Sequence, residues 1–209
     1  MADVLIATVP TNTKPGSVAQ VSVAPANTLT IAVDPGHGDH NNKNSQVDPG
    51  AVNGKDYEKD IVLNISNAVI EALKSKGYGV VQTRTGDVEA AGTKLQWRID
   101  QMSGTNVMVS VHVNSNESAR ANGFSVCYKL GDATGKKLAQ AISSSNTKFS
   151  NKGLSARSDL YVLNKFKGTA VLVEAGFISN AQDLSVMKGS SLEIGKEIAA
   201  GIISYMENK

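Results

Sequence analysis

Short apolar runs bounded by turn residues recur along this chain and alternate with segments whose apolar positions return at helical spacing. Leu29–Val33, Tyr78–Thr83, Val107–Val111, Phe124–Leu130, Leu160–Leu163 and Ala170–Val173 read as strands. The clearest helix begins near Asp56, a good N-cap residue, places Ile61, Ile65, Ala68, Val69, Ala72 and Leu73 on one face, and ends at Gly77. A shorter helix is expected from Thr93 to Met102, with Leu95, Ile99 and Met102 inward, and others from Thr134 to Ser145 and from Leu192 to Met206. Strand–helix alternation predicts an α/β fold, with a mostly parallel twisted sheet and helices on both faces, in a single domain.

The pattern fades before Leu29. Residues 1–28 carry Pro10, Pro15 and Pro25 among small residues, with Asp3 and Lys14 the only charges. They read as a linker or extended arm, and Ala19–Val23 is the one stretch there with an alternative as an edge strand. Residues 29–209 then form the domain that carries the chemistry.

Composition narrows the function classes. With 209 residues, 41% of them hydrophobic, the chain can bury a substantial core. A formal charge of +2 with scattered Lys and Arg argues against nucleic acid as a partner, and leaves a weakly anionic polymer open. Cys127 is the sole cysteine, so neither an internal disulfide nor a cysteine zinc motif is available, and its alternating surroundings suggest an inert buried thiol. No apolar run approaches the roughly 18 residues of a membrane span, and Val4–Ala7 lacks the basic leader of a signal peptide. A monomer is expected. Gly131–Lys137 superficially looks like a phosphate loop but has three residues between its glycines and Lys137 where a Ser or Thr is needed, so it reads as a turn opening a helix. A serine hydrolase is excluded by the lack of a G-x-S-x-G elbow.

Three strand-like runs end in chemically able side chains. Leu29–Val33 runs into Asp34-Pro35-Gly36-His37-Gly38, Val107–Val111 into His112, and Ala170–Val173 into Glu174. In open α/β sheets ligands bind beyond the carboxyl ends of the strands, so these positions can converge. Glu58 lies in the first turn of the helix after the His37 loop, where the helix dipole favours a carboxylate. Catalytic zinc typically takes three His or carboxylate ligands and leaves a fourth position for water, a requirement that His37, Glu58 and His112 meet. Glu174 is then the spare carboxylate, available to move a proton. The spacings are long, no H-E-x-x-H pattern supports the set, and structural histidines with a helix-capping Glu58 remain the alternative. His40, in the polar stretch 39–46, is a weaker ligand candidate, and Asp48 a candidate for the site rim.

The residues also carry a resemblance: D-P-G-H-G at 34–38, D-P-G-A at 48–51, Y-E-K-D at 57–60, S-V-H-V-N at 110–114, L-Y-V-L at 160–163 and V-L-V-E-A-G-F-I-S-N at 171–180. From about residue 29 to the C-terminus the chain resembles the zinc-dependent N-acetylmuramoyl-L-alanine amidases (amidase type 3), the family of bacterial autolysins and phage endolysins. The resemblance implies one Zn2+ held by His37, Glu58 and His112, and Glu174 as the catalytic glutamate. It implies hydrolysis of the amide between the lactyl group of muramic acid and L-alanine in peptidoglycan, at the cell wall. With no recognisable signal peptide, a phage lysin that stays cytoplasmic until lysis and a fragment of a secreted autolysin are both compatible. Asn114, two positions beyond His112, and Arg157, able to meet a peptide carboxylate, are candidate substrate contacts. The connection from Gly38 to Asp48 is longer than the family's usual pattern. Alternatives are a zinc peptidase cutting within the stem peptide and a non-catalytic wall-binding domain of the same fold, the latter disfavoured by an intact Glu174.

Overall fold

Side chains alternate across a strand, so a strand buried on both faces must supply apolar groups in two directions. The first strand, β1 (Thr30–Pro35), does so: Ile31 and Val33 enter one core while Ala32 enters another. The computed structural model describes residues 30–39, 47–88 and 95–208. The expected linker 1–28, His40 with most of its polar stretch, and the start of the helix at Thr93 fall outside them.

After β1 come a two-strand hairpin, β2 (Val52–Asn53) and β3 (Asp56–Tyr57), then α1 (Glu58–Ser75), β4 (Gly79–Gln82), α2 (Leu95–Gln101) and β5 (Val107–Asn114). The chain continues through β6 (Phe124–Lys129), α3 (Ala133–Ser145), β7 (Asn151–Arg157), α4 (Tyr161–Lys165), β8 (Thr169–Phe177), α5 (Ala181–Gly189) and α6 (Ser191–Glu207). The main sheet has the order β4-β1-β5-β8-β6-β7, and every neighbouring pair is parallel except β6 with β8. The fold is thus a mixed α/β domain with a mostly parallel sheet. One face is covered by α1, α3 and α6, through Ile65, Val69, Leu138, Ile142, Ile198 and Ile202. The other face carries a smaller core of Met102, Met108, Val162, Leu163 and Leu172.

α1 buries Ile61, Ile65, Ala68, Val69 and Leu73 as its periodicity demands, and Gly77 follows it in a left-handed conformation (φ 84°). Its N-cap differs from expectation. Tyr57, with extended backbone, precedes the first turn, while Asp56 lies in β3 and pairs with Lys188 at 2.6 Å. Asp132 caps α3 by accepting from the Thr134 N–H, as a turn opening a helix requires.

Elsewhere the apolar pattern misled. Leu160–Leu163 is not a strand: Tyr161–Lys165 forms a helical turn, in which the Asn164 N–H donates to the Leu160 carbonyl and the Asn164 side chain to Ser158. Adjacent Val162 and Leu163 both enter the same core, which a helical turn allows and a strand, whose neighbours point to opposite faces, does not. The strand of that region is β7, polar and at the sheet edge, where little apolar alternation is needed. In α2 the expected inward Leu95 is 49% exposed, and the fully enclosed residue is Arg98.

Candidate metal centre and its surroundings

β1 and β5 are neighbours, so the loop after β1 and the end of β5 meet at one edge of the sheet. There the Gly36 N–H donates to the Val111 carbonyl, and the absence of a side chain at Gly36 leaves room for the His112 ring, into which a Cβ would project. His37 itself takes a left-handed backbone (φ 58°), a costly conformation for a residue with a side chain. The turn swings its imidazole back over the start of α1. Gly50 supplies the matching clearance, since a Cβ there would strike Glu58 Oε2 and the His37 ring.

The result is a compact trio. His37 Nε2 lies 3.1 Å from Glu58 Oε2, and His112 Nδ1 lies 3.0 Å from Glu58 Oε1. One ligand atom from each of the three residues falls within 4.8 Å of the others. The second nitrogen of His37, Nδ1, is 2.8 Å from Asp48 Oδ2, which orients the ring and leaves Nε2 facing the trio. Glu58 is anchored in turn by the N–H groups of Ala51 and Val113.

Bonds of about 2.0–2.2 Å to nitrogen and oxygen would set tetrahedral donors about 3.3 Å apart. Each imidazole nitrogen already lies near that distance from a Glu58 oxygen, and one donor atom from each residue lies within 4.8 Å of the others. The trio therefore fits a small divalent ion of zinc's preferences. Burial alone would lower the His37 proton affinity, yet the Asp48 and Glu58 carboxylates outweigh it and raise its pKa to about 9. Burial would raise Glu58, but the two imidazoles hold it well below the usual carboxylate range. The three residues thus form a compact, strongly coupled cluster of charged groups.

Glu174 stands beside it. On β8 it is the register partner of His112, and its Oε2 is a buried oxygen with no hydrogen-bond partner. Burial pushes its pKa up to about 7, against the opposing charge of His112. Such a carboxyl can both take and give a proton near neutrality.

The structure brings His37, Glu58 and His112 together with Glu174 alongside, and Asp48 onto the rim. Asn114 closes β5, where its side chain accepts from the Ser115 N–H. Arg157 is farther off. β6 and β7 run against β8, so Arg157 ends β7 opposite Lys129, away from the trio, and forms a two-point ion pair with Asp159. Its charge still reaches Glu174, whose proton affinity it lowers. Cys127 is buried as expected, and burial raises its thiol pKa.

Two arginines beneath the His37 loop were not singled out from the sequence. Arg98 pairs with Asp34 at 2.8 Å and with Asp39 at 2.9 Å, and donates to the carbonyls of Pro35 and His37. Asp34 also accepts from Thr83 and Ser110. Arg84 donates to Pro35, Gly36, Lys59 and Gly86 carbonyls. A signal existed for Arg98: it falls between Leu95 and Met102 on the face that periodicity turns inward, where an arginine needs a partner.

Comparison with known proteins agrees with this geometry. The family model described as N-acetylmuramoyl-L-alanine amidase matches residues 31–204. The N-acetylmuramoyl-L-alanine amidase LytC of Bacillus subtilis is 31% identical over 206 residues, covering 91% of this chain but only 39% of LytC. The germination-specific N-acetylmuramoyl-L-alanine amidase of the same organism is 27% identical over 197 residues, 86% of this chain and 80% of that protein. The crystal structure of N-acetylmuramoyl-L-alanine amidase from Clostridium difficile 630 superposes with a TM-score of 0.78 at 27% identity, covering 88% of this chain and 100% of that one. Fold, residues 31–204 and the assembled trio thus point the same way, and the chain belongs to the N-acetylmuramoyl-L-alanine amidase family.

Proposed function

We propose that residues 29–209 form a zinc-dependent hydrolase that cuts peptidoglycan between the lactyl group of N-acetylmuramic acid and L-alanine, with residues 1–28 as a linker or arm. The observation that carries this reading is the His37–Glu58–His112 trio with the unpartnered Glu174 oxygen beside it, in a chain of this family. Zinc held by the trio would act as a Lewis acid toward the amide carbonyl and acidify the attacking water. Asp48 keeps the His37 ring aimed, and Ala51 and Val113 keep Glu58 from rotating away. Glu174, with its pKa near 7, takes the proton from the water and returns it to the departing L-alanine nitrogen. Asn114, at the end of the His112 strand, borders the stem peptide. Arg157, at the far end of the sheet from the trio and paired with Asp159, has no part in this reading. Action at the bacterial cell wall follows from the substrate. Among the described residues no helix is long and apolar enough to cross a membrane.

The test is zinc content together with digestion of purified peptidoglycan and mass analysis of the products, for the unaltered chain and Glu174→Ala. The unaltered chain should hold about one zinc, as a three-ligand site requires, and release peptides beginning in L-alanine. Glu174→Ala should keep the zinc and lose turnover. Fragments split inside the stem peptide would instead establish a peptidase.

A further inference from the structure

Arg84 is 3% exposed, yet among the described residues no carboxylate accepts a hydrogen bond from it, and each of its bonds there ends on a backbone carbonyl. Two of them share one nitrogen. Nη2 donates to the Gly36 carbonyl at 2.8 Å and to the Lys59 carbonyl at 2.7 Å, while Nε donates to Pro35 at 3.0 Å. Gly36 immediately precedes His37, and Lys59 immediately follows Glu58. A single planar group therefore ties the backbone of one trio member to that of another. Gly38 lies flat against it, since a Cβ there would sit 2.6 Å from Arg84 Cζ. Its own segment is fixed from both sides, by the Thr83 hydroxyl on Asp34 and by the Val88 N–H on the Gly38 carbonyl.

We propose that Arg84 is a positioning residue that sets the separation of His37 and Glu58, and through it the affinity of the trio for zinc. The inference rests on the reading of the trio as a metal centre. Burial of the guanidinium is costly, and burial is the main influence that lowers its proton affinity. Asp87, Asp34 and Asp39 offset part of that cost through space, while the hydrogen bonds themselves go to carbonyls of the two segments that carry His37 and Glu58 and of Gly86. The planar fork matters more than the charge: lysine would bring one ammonium where three nitrogens now reach four carbonyls. His37 needs such a brace because its left-handed backbone would otherwise relax and carry the imidazole away from Glu58.

The experiment compares the full chain with Arg84→Lys, Arg84→Gln and the control Leu138→Ala, which opens the core on the opposite face of the sheet. Zinc affinity is read by competition with a chromophoric chelator, cobalt substitution gives an absorption spectrum sensitive to ligand geometry, and far-UV circular dichroism with urea unfolding follows the metal-free fold. Arg84→Lys and Arg84→Gln should bind zinc about 10–100-fold more weakly, the range for loss of a group that orients ligands, with an altered cobalt spectrum and a native metal-free fold. Leu138→Ala should lose stability and keep both affinity and spectrum. The proposal is overturned if the arginine variants keep the affinity of the unaltered chain, or if both are unfolded without metal, the mark of a purely structural role. Failure of the unaltered chain to bind zinc would overturn the metal-centre reading as well, and is visible separately.

Discussion

The two faces of the sheet are built by opposite means. Under α1, α3 and α6 the strands meet a continuous layer of isoleucine, valine and leucine, and single groups there matter mainly through volume. Under α2 and α4 the apolar layer is thinner, and toward the site it gives way to a buried polar lattice of Asp34, Thr83, Arg84, Arg98 and Ser110. The first face holds the domain together. The second holds the His37 loop in a backbone conformation it would not choose alone. The lesson is that buried charge here has a geometric purpose, because Thr83, Arg84, Arg98 and Ser110 each make at least one bond on or beside the loop that carries His37.

Substitutions can break this contrast in a graded way. Arg98→Leu should have the largest effect on stability, about 3–5 kcal/mol by urea unfolding, because it strands the Asp34 carboxylate in the interior. Zinc affinity should fall with it. Ile142→Ala, on the apolar face, should cost about 3 kcal/mol, within the usual range for such a cavity, with zinc affinity unchanged. Equal losses of zinc affinity in the two variants would erase the distinction between the faces.

Acid should sharpen it. Burial alone would raise the Asp34 pKa, but Arg98, Thr83 and Ser110 outweigh it, so the folded state binds this proton more weakly than the unfolded chain. The stabilisation is then complete above about pH 4, the unfolded value for Asp, and drains away as pH falls through the depressed folded value. Urea midpoints of the unaltered chain and Arg98→Leu should converge below pH 4, and a constant gap would contradict the assigned coupling. The smallest effect is expected at the exposed α3 cap. Asp132→Ala should cost about 1 kcal/mol of stability and leave metal binding untouched.

The same contrast explains what could be read from the chain. α1, α3 and α6 pack a broad apolar stripe, and their periodicity was plain. α4 touches its face with Val162 and Leu163 over barely more than a turn, too short for a period to show, and it passed for a strand. β7 is a polar edge strand whose Asn151, Lys152 and Gly153 start it without apolar alternation, and α5, capped by Asn180, has only Asp183 and Met187 buried. The antiparallel direction of β6 leaves no local trace either. At the site, His37, His112 and Glu174 were legible because each stands at the end of an apolar run, and Glu58 because it opens a helix. Arg98 left a trace on the inward face of its helix, though its partners Asp34 and Asp39 did not show. Arg84 left none, since its role depends on backbone carbonyls brought near by the fold, and a sequence shows carbonyls at every position alike.

One topological detail governs the order in which the molecule can be completed. β8 lies between β5 and β6 but is the last strand of the sheet to leave the ribosome. Until it arrives, β4-β1-β5 and β6-β7 are two separate half-sheets with facing bare edges. His37, Glu58 and His112 all belong to the first half, whereas Glu174 is carried in by the closing strand. A nascent chain can therefore gather the His37–Glu58–His112 trio early and remains without Glu174 until β8 inserts between the halves. β8 is thereby the strand that joins the two halves and brings Glu174 beside the trio.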